Sequence, residues 1–259
     1  MSTFLMSWLR PVLTLLAVVG AIVINGLSNR YPLLGETVAD LSNTVFEPVR
    51  VIPASYAFIV WALIYIGLLA LGVYQLQARH HRDPKLAPNT YFLVLASIAR
   101  CLWIYLFLTR QFGLSVLAMV EILVFLIAFY LRIRTPANLQ RVTRSDRWYL
   151  YRPLSLYMGW ISVATIVNVA STLYLWGWGR EETSAIAWTI SVMARASFLA
   201  LRLLVRYGDV TYVGVVIWAL VAIAVANRVT LLIVGPAIAL ATILGLLVLL
   251  QTRQGSLHS

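Results

Sequence analysis

Apolar residues run along this chain in long blocks, with the polar positions gathered between them. A helix needs about 20 apolar residues to cross roughly 30 Å of hydrocarbon. Eight blocks are of that order: near Leu9 to Leu27, Ser55 to Leu76, Thr90 to Thr109, Gly113 to Leu131, Pro153 to Trp176, Ala185 to Val205, Val210 to Ala226 and Val229 to Leu250. The sixth is less uniform and the seventh is short. The pattern predicts an all-α fold, a polytopic membrane helical bundle of eight transmembrane helices. The longest connections, Ser28 to Ala54 and Arg132 to Arg152, are too short for an independent core, so one integrated membrane domain is expected. The first block follows Arg10 much as the core of a signal peptide would. It is longer than such cores, and no small-x-small cleavage site precedes Asn25, so its retention is expected.

Composition agrees with this reading: 61% of residues are hydrophobic and 11% charged, and the mean hydropathy is +0.87. Soluble domains carry roughly 25% charge. The net charge of +11 would suggest a nucleic-acid partner in a soluble protein. Here the basic residues sort by loop, and no nucleic-acid partner is expected. With the N-terminus inside, the cytoplasmic segments carry thirteen: Arg10; Arg79, Arg82 and Lys85; Arg132, Arg134, Arg141, Arg144, Arg147 and Arg152; Arg202 and Arg206; and Arg253. The other side carries five, Arg30, Arg50, Arg110, Arg180 and Arg228, and most of the loop acids. The positive-inside rule then places both termini in the cytoplasm.

The single cysteine, Cys101, excludes an internal disulfide and any multi-cysteine metal site. His80, His81 and His258 fall in loop or tail, where solvation is expected, and no span offers an imidazole to haem or zinc. The chain has no Gly-rich phosphate loop, no GxSxG, no HExxH and no paired-Asp motif. No catalytic residue or metal ligand is assigned, no cofactor is required, and the chain is not expected to be an enzyme.

Charge inside a span costs at least about 2.5 kcal/mol and marks either function or a buried pair. Three such residues stand out: Arg100 in the third span, Glu121 in the fourth and Arg195 in the sixth. A tight turn around Arg110 and Gln111 makes the third and fourth spans antiparallel neighbours. Arg100 and Glu121 each lie about ten residues from that turn, roughly 15 Å at 1.5 Å per residue, so both reach one depth. One reading is a structural salt bridge. The other adds Arg195 to the cluster, leaving a surplus positive charge that an anionic ligand group would complete.

Aromatic stripes supply a second constellation. Phe58, Trp61 and Tyr65 fall at i, i+3 and i+7, as do Arg100, Trp103 and Phe107. Tyr157, Trp160, Ala164 and Asn168 form one stripe in the fifth span. Such stripes serve packing or interfacial belts, or line a pocket whose polar members need partners.

The same residues carry a resemblance. Pro53, Tyr56, Phe58, Trp61, Tyr65 and Gly67 in PASYAFIVWALIYIG resemble the second-helix pattern of the TspO/translocator protein family, the tryptophan-rich sensory proteins or peripheral-type benzodiazepine receptors. ARCLW, Ala99 to Trp103, resembles its third-helix Asn-x-x-Trp element, with Arg100 where the family usually has asparagine. PLSLYMGWISVATIVN, Pro153 to Asn168, resembles its fifth helix. NGLSNRYPLLGET, IYIGLLALGVYQ and IAWTISV are similar to segments of larger bacterial members with extra C-terminal helices. The resemblance implies a five-helix core over 1–176 and a three-helix extension over 177–259. It also implies a pocket for porphyrins and related tetrapyrroles, or for sterol-like and drug-like hydrophobes, beneath the loop from Ser28 to Ala54.

The expected function is binding of a planar hydrophobic, anionic ligand of the tetrapyrrole class, in a sensory or transport-related role. Ligand contacts are expected from Tyr56, Phe58, Trp61, Tyr65, Arg100, Trp103, Phe107, Glu121, Tyr157, Trp160, Ala164, Asn168 and Arg195. Membrane lipid and a hydrophobic small molecule are the expected partners, with a homodimer or a larger membrane complex both open. The competing readings are an accessory subunit of such a complex and a secondary transporter. The transporter reading is disfavoured because no internal repeat is found and the Gly235-Pro236 break stands alone.

Overall fold

The computed structural model describes residues 2–80, 83 and 85–257, with side chains described for 8–80, 83 and 85–253. Met1, His81, Arg82, Pro84, His258 and Ser259 lie outside the described residues. Eleven α-helices are formed among the described residues. They are α1 (Ser2–Arg30), α2 (Val38–Asn43), α3 (Val60–Leu76), α4 (Tyr91–Leu108), α5 (Phe112–Ile133), α6 (Pro136–Leu139), α7 (Arg144–Asp146), α8 (Arg152–Leu175), α9 (Glu182–Tyr207), α10 (Val210–Ala226) and α11 (Leu231–Leu257). Seven apolar segments are long enough to span a bilayer, and the eighth expected span is α10, at 17 residues the shortest. The structure is thus the all-helical, polytopic bundle expected.

Backbone packing divides the chain into two compact units. The first comprises residues 1–38 and 60–161. Within it α1 packs on α3 and α4, and α4 on α5. The α5 sequence shows why: Ser115, Ala118, Met119, Ile122, Leu126, Phe129, Tyr130 and Ile133 recur every three or four residues and are buried. Leu114, Leu117, Val124 and Leu131 are exposed, so the opposite face is equally apolar and suited to lipid. The α4–α5 turn is tight because Arg110 takes a left-handed φ of 59°, with the Gln111 amide donating to the Leu106 carbonyl at 2.8 Å. The Arg110 guanidinium pairs with Glu36. Close approach of α3 to α8 depends on Gly67, where an added Cβ would stand 3.1 Å from Pro153 Cβ.

Opposite the α4–α5 turn, the α3–α4 end of the first unit carries a polar network that the sequence did not reveal. Asp146, 1% exposed, accepts from Lys85 Nζ at 2.5 Å and from the Tyr74 hydroxyl at 2.9 Å. It also accepts from the Thr143 amide at 2.9 Å in a reciprocal capping box. His80 corrects the expectation of a solvated imidazole: it is buried, its ring 4.0 Å from that of Tyr74. Arg79 Nε donates to its Nε2 at 3.0 Å, which requires a lone pair there. Burial first, and then the Arg79 charge, push the His80 pKa below its ordinary value.

The second unit comprises residues 39–59 and 162–259. Its centre is α10, packed on both α9 and α11. Gly208, at φ 64°, ends α9, and Asp209 caps α10 by accepting from the Tyr212 amide at 3.1 Å. Residues 50–57 are pinned to α10. The Ala54 amide donates to the Ala222 carbonyl at 3.1 Å, Trp218 Nε1 to the Ala57 carbonyl at 3.1 Å, and Asn227 Nδ2 to the Arg50 carbonyl at 2.8 Å.

Candidate functional site

Five of the thirteen expected site residues, Trp61, Tyr65, Arg100, Tyr157 and Trp160, gather around one guanidinium in the first unit. Arg100 sits on the buried face of α4 with Leu93, Ser97, Ile104 and Phe107, and is 4% exposed. Its Nη2 donates to the Tyr65 hydroxyl at 2.5 Å and to Asn25 Oδ1 at 3.0 Å. Its Cζ stands 3.6 Å from the centre of the Trp61 ring and 5.4 Å from that of Tyr65. Trp61 in turn stacks on Tyr65 at 5.6 Å and meets Tyr157 at 6.1 Å and Trp160 at 6.4 Å edge-on. The Tyr157 hydroxyl also faces the guanidinium. Tyr157 and Trp160 are almost wholly buried. Gly67 makes this convergence possible, because α3 can carry Trp61 and Tyr65 against α8 only where no side chain intervenes.

The electrostatics are unusual for a buried cation. Among the described residues Arg100 takes part in none of the ion pairs, and its Nε has no hydrogen-bond partner. Desolvation of the charge is offset by two hydrogen bonds from a charged donor, about 1.5–3 kcal/mol each. The aromatic face adds about 2 kcal/mol when desolvated. The cluster can therefore hold a cation without neutralising it.

The expected Arg100–Glu121 pair does not form. Glu121 is exposed and enters no ion pair among the described residues. The two residues match in depth but not in azimuth: Glu121 falls one residue, about 100° of helical rotation, before Ile122 on the buried α5 stripe. Arg195 is likewise exposed, off the stripe of Thr189, Val192, Met193, Ser197 and Ala200 that α9 buries. It lies in the second unit.

The remaining candidates divide. Trp103 packs at a tilt on Phe107 at 5.2 Å, and Phe107 meets Phe112 edge-on at 5.2 Å, within the first unit. Tyr56, Phe58, Ala164 and Asn168 belong to the second unit. Tyr56 stands edge-on to Trp218 at 5.3 Å, Phe58 and Ala164 are half-buried, and Asn168 is buried. Asn25 was missed as a site residue. The available signal was an amide inside the first apolar block, where a polar side chain needs a partner. Among the described residues no group of three or more His, Cys, Asp or Glu could hold a metal ion.

The sequence pattern of the family described as TSPO-like protein matches residues 11–250. The chain belongs to the TSPO-like protein family. The match runs through α9 and α10 and into α11, so the C-terminal helices fall within the family pattern. Together with the long apolar helices, membership makes this an integral membrane protein. No curated protein and no solved structure matches the chain.

Proposed function

We propose that this TSPO-like protein binds a planar, anionic hydrophobic ligand of the tetrapyrrole class within the first unit, in a sensory or transport-related role in the bacterial inner membrane. The supporting observation is Arg100: a buried guanidinium with no carboxylate partner among the described residues, its face on Trp61 and its Nε unmatched. A ligand carboxylate would accept from the guanidinium while the ligand plane shares the aromatic walls of Trp61, Tyr65, Tyr157 and Trp160. The experiment is a porphyrin titration of the purified protein followed by tryptophan quenching. Arg100→Gln is expected to weaken a dicarboxylic porphyrin at least about tenfold, the loss of one charge-assisted hydrogen bond. The esterified porphyrin should bind as before. Equal loss for both, or for neither, removes Arg100 from the site.

A second reading, an accessory subunit of a larger membrane complex, is favoured by Glu121 and Arg195. Both are exposed midway along helices of spanning length, where lipid contact costs at least about 2.5 kcal/mol per charge. A protein neighbour would relieve that cost. Under this reading a partner co-purifies in mild detergent and is lost on Glu121→Leu.

A further inference from the structure

The second unit carries a half-open pocket of about 300 Å³, lined entirely by its own residues. That is the lower end of the range for small-molecule sites. Its walls come from the loop around Val49, the last turns of α8 and the first turns of α9, with Tyr174, Trp178 and Trp188 contributing aromatic surface. Besides the Tyr174 phenol, three aliphatic hydroxyls lie along it, and each donates to its own helix or turn. Ser184 donates to the Glu181 carbonyl, Thr189 to that of Ala185 and Ser191 to that of Ala187, each at 2.8 Å. The walls are consequently almost wholly apolar.

One charged residue lines this space. Arg50 is held by its own carbonyl on Asn227, at the C-terminal end of α10. Among the described residues its guanidinium has no hydrogen bond, ion pair or ring contact. The nearby acids Glu47, Glu181 and Glu182 are exposed and form no ion pair with it. A second cation, Arg180, stands 5.9 Å from the Tyr174 ring. The end of α8, the start of α9 and the end of α10 lie at one level because successive helices alternate in direction. The cations therefore mark the helix ends, and the lining continues from Ser184 to Ser191, roughly 10 Å further along α9. An aqueous-end cation over an apolar shaft is the complement of an amphiphile.

We propose that this cavity binds a single acyl chain ending in an anion, the chain along α9 and a carboxylate or phosphate on Arg50. The test uses the full chain in nanodiscs of phosphatidylcholine and a brominated C12 carboxylic acid, which quenches tryptophan on contact. Saturable quenching is expected, most of it lost on Trp188→Phe. Arg50→Gln should weaken the acid at least tenfold and leave its methyl ester unchanged, and Ala185→Phe, which fills the space, should abolish saturation. A parallel arm replaces the free acid by phosphatidic acid with a brominated chain: quenching there assigns the anion to a bilayer lipid, and quenching only by the free acid assigns it to a soluble amphiphile. Arg100→Gln should alter neither, which separates this site from the porphyrin reading. Unsaturable quenching equal in wild type and Ala185→Phe, or equal affinity for acid and ester in the wild type, overturns the proposal.

Discussion

Lys85 and Arg100 are both buried cations of the first unit, 7% and 4% exposed, yet their surroundings differ in kind. Lys85 has a carboxylate at 2.5 Å, and that carboxylate is itself held by Tyr74 and Thr143. Every strong charge there is answered, and the network ties the α3–α4 loop to the start of the π-turn Arg147–Tyr151 that leads into α8. Arg100 has an amide oxygen, phenols and ring faces, which stabilise a cation and leave its charge in place. A neutralised charge holds structure together, whereas a charge sheltered but not neutralised remains available to a visiting anion.

The largest expected effect tests the first half of this contrast. Asp146→Asn leaves Lys85 only the more distant Asp83, at 3.6 Å, and should lower stability by up to about 3–5 kcal/mol, read as a drop in thermal midpoint in detergent. Adding Lys85→Met should recover much of the loss. Arg100→Gln is expected to change stability by no more than about 1 kcal/mol, because lost cation–π energy is offset by relief of desolvation. If it destabilises as much as Asp146→Asn, Arg100 is structural and the contrast fails. Glu121→Gln sharpens the comparison further: removing an exposed mid-span charge that enters no ion pair among the described residues should leave stability unchanged or raise it, and a large loss would restore the pair with Arg100.

The smallest effect is in pH. His80 has a folded pKa below its unfolded value, so the unfolded state binds more protons in that range. Stability should fall as pH drops below about 6.5, the unperturbed histidine value. His80→Phe should flatten that part of the melting profile, and an unchanged profile would assign the acid sensitivity elsewhere.

Much of this was legible in the chain. Long apolar blocks set the spans because lipid leaves the backbone no partner but itself, and the stripes Trp61–Tyr65 and Tyr157–Trp160 did meet Arg100. Periodicity gives which residues share a face and how deep each lies, but not which face turns inward when both are apolar. That is why Glu121 was placed against Arg100 by depth and found on the outside. Asp146 and Lys85 were illegible for another reason: 61 residues separate them, and each looked like one more loop charge in a topology count. Asn25 was quoted within a segment of resemblance, yet its contact with Arg100 joins positions 75 residues apart.

The 17 residues of α10 extend roughly 25 Å at 1.5 Å per residue, about 5 Å less than typical hydrocarbon thickness. Its neighbours α9 and α11 have 26 and 27 residues, roughly 40 Å each, and must tilt or project beyond the acyl region. The second unit thus joins a helix too short for the membrane to two that are too long. Packed between those two, α10 is spared most of the mismatch, and the adjustment falls on the longer helices that flank it.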